Sequence, residues 1–209
     1  MIRAVVLAAA LGAGAAQAAP TLRFPPRDTC ATLTGAAAFR AALKSAIARR
    51  DARAFAALAA PDVKLDFGGG SGPAELQRRL GAPQGKAIWQ ALDRIVPLGC
   101  AAQGSALIMP SFFAEDIGNH DAFSVLLVTG RAVRLRPAPA GKPAATLSWN
   151  LVEALSPTDH AAHWRKVRVL PAGPTGFVSA AYLRSPVDYR VLAGRTAGKW
   201  KISAFVKGD

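Results

Sequence analysis

Val128-Thr129-Gly130, Val133-Arg134-Leu135-Arg136-Pro137-Ala138-Pro139, Ala145-Thr146-Leu147-Ser148-Trp149, Trp164-Arg165-Lys166-Val167-Arg168-Val169 and Gly176-Phe177-Val178-Ser179-Ala180-Ala181-Tyr182-Leu183 are the runs on which this 209-residue chain is read. They lie in its most basic part. Residues 131–209 hold 13 Lys or Arg against 4 Asp or Glu, whereas residues 19–130 hold 12 against 9. Positive charge gathered in one part of a chain favours an anionic partner: cell-wall polymer, lipid headgroups or nucleic acid. The alternative is that arginine merely solvates an exposed face. Composition does not separate the two, because it says nothing about clustering in space.

Taken together, these runs resemble a bacterial SH3-like domain, a small β-barrel. The departures are Ser148-Trp149, where such domains often have a glycine turn, and the extended loop from Ser156 to His163. The resemblance implies a module that binds or positions other molecules and does no chemistry. Trp164 and Tyr182 stand where the pattern has its recurrent aromatics. That implies stacking on a ligand, with Arg134, Arg136 or Arg168 supplying charge. The competing reading is that Trp164 packs the small core.

The N-terminus predicts export. Arg3 gives a short positive region, Ala4 to Leu11 an apolar stretch too short to span a bilayer, and Ala16-Gln17-Ala18 a small-x-small cleavage pattern. Residues 1–18 are therefore read as a signal peptide cleaved after Ala18. No later stretch is long and apolar enough for a transmembrane helix. Heavy Ala and Arg usage is bacterial in style, which makes the expected compartment the periplasm. Two cysteines remain after cleavage, Cys30 and Cys100. In an oxidising compartment an even count favours a disulfide over two buried thiols.

Working outward, residues 20–35 read as an extended lead-in, with Pro20, Pro25 and Pro26. Phe39, Leu43 and Ile47 recur at i, i+4 and i+8, the spacing of one helix face. Asp51 can cap a second helix holding Phe55 and Leu58, which Pro61 stops. Val63, Leu65 and Phe67 alternate with charged residues and predict a strand. Gly68 to Gly72 turn the chain into a helix with Leu76 and Leu80. A further helix carries Ile88 or Trp89, Leu92, and Ile95 or Val96 on one face and ends at Pro97, and Ser105 to Phe113 predict another strand. This order is similar to the opening of the SnoaL-like, or nuclear-transport-factor-two-like, fold, in which helices pack on a curved antiparallel sheet. The tail also fits that resemblance: Tyr189 to Ala193, a turn near Thr196-Ala197-Gly198, and Trp200 to Asp209 predict a closing hairpin.

The expected fold class is therefore α+β. Residues 19–127 and 187–209 form the SnoaL-like part, and residues 128–186 form an SH3-like barrel inserted before the closing hairpin. In the other arrangement the hairpin extends the barrel. The chemistry-bearing motifs are weak. Gly68 to Gly72 lack the Lys-Ser/Thr ending of a P-loop and the spacing of a dinucleotide fingerprint. His120 with Glu115, Asp116 and Asp121 matches no known ligand helix. His160 and His163, in a polar loop with Asp159, form a His-x-x-His pair that alone is a weak signal beside solvated loop histidines. No serine lies in a Gly-x-Ser-x-Gly elbow. Asp66, Phe112 and Phe113 could line a cavity in the α+β part. The leading expectation is a non-enzymatic exported protein without metal or cofactor. Its SH3-like part would recognise cell-wall peptidoglycan or a periplasmic protein partner, and homodimerisation is possible. A small-molecule binder or enzyme using the α+β cavity is the second reading. Charge-driven binding of lipid is the third, with nucleic acid disfavoured by the export signal.

Overall fold

A computed structural model describes residues 21–156 and 162–208. The expected signal peptide, Asp159 and His160 lie outside the described residues. Helix α1 (Ala36–Ala48) buries Phe39, Leu43 and Ile47 on one face. The Asp51 carboxylate accepts the Ala54 amide at 2.8 Å and starts α2 (Ala52–Ala57). Strand β1 (Ala59–Lys64) follows, then α3 (Pro73–Gly81), with proline in its first turn, and α4 (Gly85–Ile95). Strands β2 (Ala101–Gln103) and β3 (Ala106–Met109) form a tight pair.

Among the described residues the middle of the chain is built from strands, β4 (Val125–Val128), β5 (Val133–Leu135), β6 (Ala145–Leu147), β7 (Leu151–Ala154), β8 (Trp164–Val169), β9 (Thr175–Ser179) and β10 (Leu183–Arg184), with a helical turn (Ala180–Tyr182) between the last two. The chain closes with β11 (Arg190–Thr196) and β12 (Lys199–Val206). Their two-residue turn, Ala197-Gly198, has φ of 49° and 75°, the doubly positive geometry that matches the twist of a hairpin.

The fold is α+β, with two five-stranded sheets. The first has the order β1-β12-β11-β3-β2, so the closing hairpin pairs with strands from the N-terminal part. The resemblance implies a curved antiparallel sheet; here β1 runs parallel to β12 and the sheet is mixed. No hairpin joins these two strands, and nothing in their connection forces opposite directions. The expected strand over Val63 to Phe67 is shifted: β1 starts at Ala59, and Phe67, 52% exposed, sits in the turn beyond it. The predicted strand over 105–113 ends at Met109, and Ser111–Ala114 form a single helical turn.

The second sheet has the order β10-β4-β7-β8-β9. A separate ribbon, β5-β6, covers one face of it. Val128, Val133, Leu135, Val152, Val167 and Val178 fill the space between the two. The ribbon meets β9 through one bridge, Arg136 to Phe177, and the sheet does not close into a barrel among the described residues. Pro137, Pro139 and Pro143 remove backbone donors just where the ribbon would have to lengthen.

The lead-in is a strap across both sheets. Leu22 exchanges backbone hydrogen bonds with Leu170 and Leu151, and the Phe24 amide donates to the Trp149 carbonyl. The Phe24 ring lies 5.3 Å from that of Phe112. Five residues later the chain has reached the first sheet, where the Thr29 amide donates to Cys100 and the Cys100 amide to Arg27. Gly99 has φ 78°, and a Cβ there would stand 2.2 Å from the Arg27 carbonyl oxygen, so only glycine lets the strap approach. Cys30 and Cys100 form the expected disulfide, with Cα atoms 5.7 Å apart. No helix among the described residues is long and apolar enough to cross a membrane.

The link from β10 to β11 is pinned by buried arginines. Arg184 is 6% exposed and reaches Asp188 at 3.3 Å and the Tyr189 carbonyl. Its burial pulls the guanidinium pKa down, and Asp188 partly offsets that. Arg190 places its guanidinium 4.4 Å from the Phe113 ring centre.

Candidate functional site: an arginine and aromatic cleft

The alternation of β5 buries Val133 and Leu135 and turns Arg134 outward. Arg136 follows the same period, and its amide and carbonyl both bond to Phe177. In β8, Val167 and Val169 face the core while Trp164, Lys166 and Arg168 stand on the other face. Trp164 opens β8 opposite Ser179 in β9. Tyr182 comes from the helical turn after β9, and its carbonyl accepts the Thr129 amide at 2.7 Å. The turn at Arg131-Ala132 is held by the Ala132 amide donating to the Ser148 hydroxyl at 2.9 Å.

These pieces enclose a cleft of about 320 Å³, lined by Arg131, Arg134, Arg136, Trp164, Ser179 and Tyr182 together with Ala132 and Val133. The Arg136 guanidinium lies 5.6 Å from the Trp164 ring centre. Tyr182 is 48% exposed and Trp164 is half-buried. Among the described residues no carboxylate lines the cleft, and no ion pair involves Arg131, Arg134 or Arg136. The lining thus combines three guanidinium groups, of which Arg136 also donates to the Gly141 carbonyl, with two aromatic surfaces.

Four of the five candidate residues meet here: Arg134, Arg136, Trp164 and Tyr182. Arg168 does not; it pairs with Glu153 at 3.2 Å, one strand away. Arg131 and Ser179 were not singled out. Arg131 carried a signal, a cation next to the Thr129-Gly130 turn. Ser179 became visible only through its register with Trp164.

A second, open cavity of about 370 Å³ lies at the Gly68–Gly72 turn, lined by Asp62, Lys64, Asp66, Phe67 and Ser71. The amides of Gly68 and Gly70 both donate to Asp66, at 2.9 and 2.7 Å, so the turn spends its donors internally. Arg79 bonds Asp66 at 2.6 Å and, with the Gly70 amide, holds that carboxyl below its ordinary range. A general base for neutral pH needs the opposite shift. Phe112 is buried against Phe24, and Phe113 lies under Arg190, so Asp66, Phe112 and Phe113 are not gathered around one cavity.

Glu75 is pushed down to about 2 by bidentate bonding from Arg78 and by Arg79. A depressed carboxylate favours the folded state at neutral pH and loses that contribution as pH falls from the ordinary glutamate range through the folded pKa. A carboxyl-detected NMR titration should therefore find the Glu75 midpoint at about 2 in the folded protein; a midpoint in the ordinary glutamate range would show that the fork is not held in solution.

Glu115 pairs with Arg27, Asp116 bonds the Gly118 amide, and Asp121 caps Phe123 and Ser124. No group of three or more His, Cys, Asp or Glu among the described residues is placed to hold a metal ion. His163 is exposed, and its carbonyl accepts the Ala180 amide. Trp89 and Trp200 are core residues whose indole N–H groups donate to Leu80 and Thr34 carbonyls. Compared with models of known protein families the chain matches none, and no curated protein matches its sequence.

Proposed function

We propose that the chain is a non-enzymatic, exported binding protein of the bacterial periplasm. In this reading residues 128–186 are a module similar to bacterial SH3 domains, set into a SnoaL-like α+β part made of residues 19–127 and 187–209. The module recognises cell-wall peptide, and the α+β part holds it. The observation that carries the reading is the cleft itself: Arg131, Arg134 and Arg136 beside Trp164 and Tyr182, with no lining carboxylate among the described residues. Peptidoglycan stem peptides present carboxylates on small apolar bodies, which is the complementary chemistry. The buried disulfide suits an oxidising compartment.

The test is co-sedimentation of residues 19–209 with peptidoglycan sacculi at low and high salt, beside Trp164→Ala. The expected result is binding that persists at high salt and weakens about thirtyfold in the variant, the scale of an aromatic anchor worth about 2 kcal/mol. Circular dichroism must show the variant folded. Binding abolished by salt, or unchanged in folded Trp164→Ala, overturns recognition by the cleft.

A further inference from the structure

The cleft does not end at Trp164. Residues paired across a sheet share a face, and the pairs Trp164 with Ser179, Lys166 with Phe177, and Phe177 with Arg136 are all in register. Val167, Gly176 and Val178 face the core, so Lys166, Phe177 and Arg136 form one outward row across three adjacent strand segments. Lys166 is exposed, and no ion pair among the described residues occupies it. Phe177 is half-buried between the two cations of its row. One step further along β8 the row ends in a closed ion pair: Arg168 is neutralised by Glu153. On this face the cations without an ion-pair partner among the described residues therefore lie at two ends, the arginines of the cleft, of which Arg136 also donates to the Gly141 carbonyl, and Lys166, with an aromatic floor between them.

We infer that the ligand is an extended peptide with two carboxylates, one held by Arg131, Arg134 and Arg136 and the other by Lys166, its apolar body lying across Trp164 and Phe177. This deepens the cell-wall-peptide reading and rests on it. Strands lie about 4.8 Å apart, so Arg136 and Lys166, separated by one intervening strand, are about 10 Å apart at the backbone. An extended peptide advances about 3.3 Å per residue, so carboxylates three residues apart fit the span. Arg168, paired with Glu153, offers no free cation beyond Lys166, so the two carboxylate sites end there.

The probes are three synthetic tetrapeptides: acetyl-Glu-Ala-Ala-Ala with a free C-terminal carboxylate, the same peptide as its C-terminal amide, and the free acid with Gln in place of Glu. Each is titrated calorimetrically into the wild-type protein and into Lys166→Ala. Lys166 is exposed and its removal leaves the core intact. The expected result is that the diacid binds wild type about fivefold to tenfold more tightly than either monoacid, the scale of one charge-assisted contact on an exposed surface. In Lys166→Ala the diacid falls to the affinity of the monoacids, and at least one monoacid is unchanged.

Equal weakening of all three peptides, or of none, overturns the second carboxylate site. Sacculi that bind through Trp164 while the diacid shows no advantage overturn this inference and leave the proposed function standing. Failure of both sacculi and peptides removes the two together. Polygalacturonate binding more tightly than the diacid overturns the peptide as occupant and makes it an acidic glycan.

Discussion

Replacing Cys30 and Cys100 together by alanine lowers the unfolding free energy by about 4 kcal/mol in the chain-entropy treatment of a loop this long. The bridge spans 70 positions of sequence. Opening it lets the denatured chain regain the freedom the cross-link removed, while the folded strap keeps its hydrogen bonds to Cys100 and Trp149. Both cysteines are fully buried, so the alanines also leave a small packing deficit. Urea unfolding should show a lower midpoint together with a steeper denaturant dependence, because the uncross-linked denatured state exposes more surface. Wild-type protein unfolded in reducing buffer should match the double variant. A loss below about 1 kcal/mol would mean that the denatured chain is already constrained by residual structure.

Local signals explain what could be read in advance. Phe39, Leu43 and Ile47 share a helix face whatever lies elsewhere, and Asp51 caps its helix through a bond only three residues long. The cysteine pair was legible because compartment and parity constrain it, without geometry. Long-range pairing was not legible. Phe67 continues the alternation of Val63 and Leu65, but the Asp66 side chain bonds the Gly68 and Gly70 amides and curls the chain away from the sheet. The direction of β1 depends on β12, which lies far along the sequence. Leu22 and Phe24 are two apolar residues between prolines, with no period to show that they pack beneath the second sheet.

The cleft was legible to the same degree. Arg134, Arg136, Trp164 and Tyr182 were named from a resemblance, and strand alternation then explains how they come to share a surface. Arg168 lies on the same strand face as Trp164, so sequence period could not exclude it. Its register partner Glu153 does that, and register is a property of the fold. Lys166 was passed over for the complementary reason: it stands alone until Phe177 and Arg136 are placed beside it.

Phe55→Ala should cost about 4 kcal/mol, and should do so without touching the cleft. Phe55 is fully buried where α2, α4 and β12 converge. Its ring meets Trp89 edge-on at 5.9 Å and Phe205 edge-on at 6.1 Å, and Phe205 stacks on Tyr189 at 4.9 Å. Truncation removes the apolar transfer term and the aromatic contacts to Trp89 and Phe205 and leaves a cavity between α2, α4 and β12. Against the 5–15 kcal/mol typical of a whole domain, that is a large fraction. Phe55→Leu keeps most of the volume and should lose less than half as much. Chemical unfolding at low temperature gives the ordering, and sacculus binding by the folded fraction of Phe55→Ala should equal wild type. Trp164→Ala should show the reverse pattern, with a small stability loss and a large binding loss, because Trp164 is half-buried at the cleft while Phe55 is buried in the first core. If Phe55→Ala lost binding in step with stability, the two cores would be one cooperative unit and the cleft's geometry would depend on the α+β part.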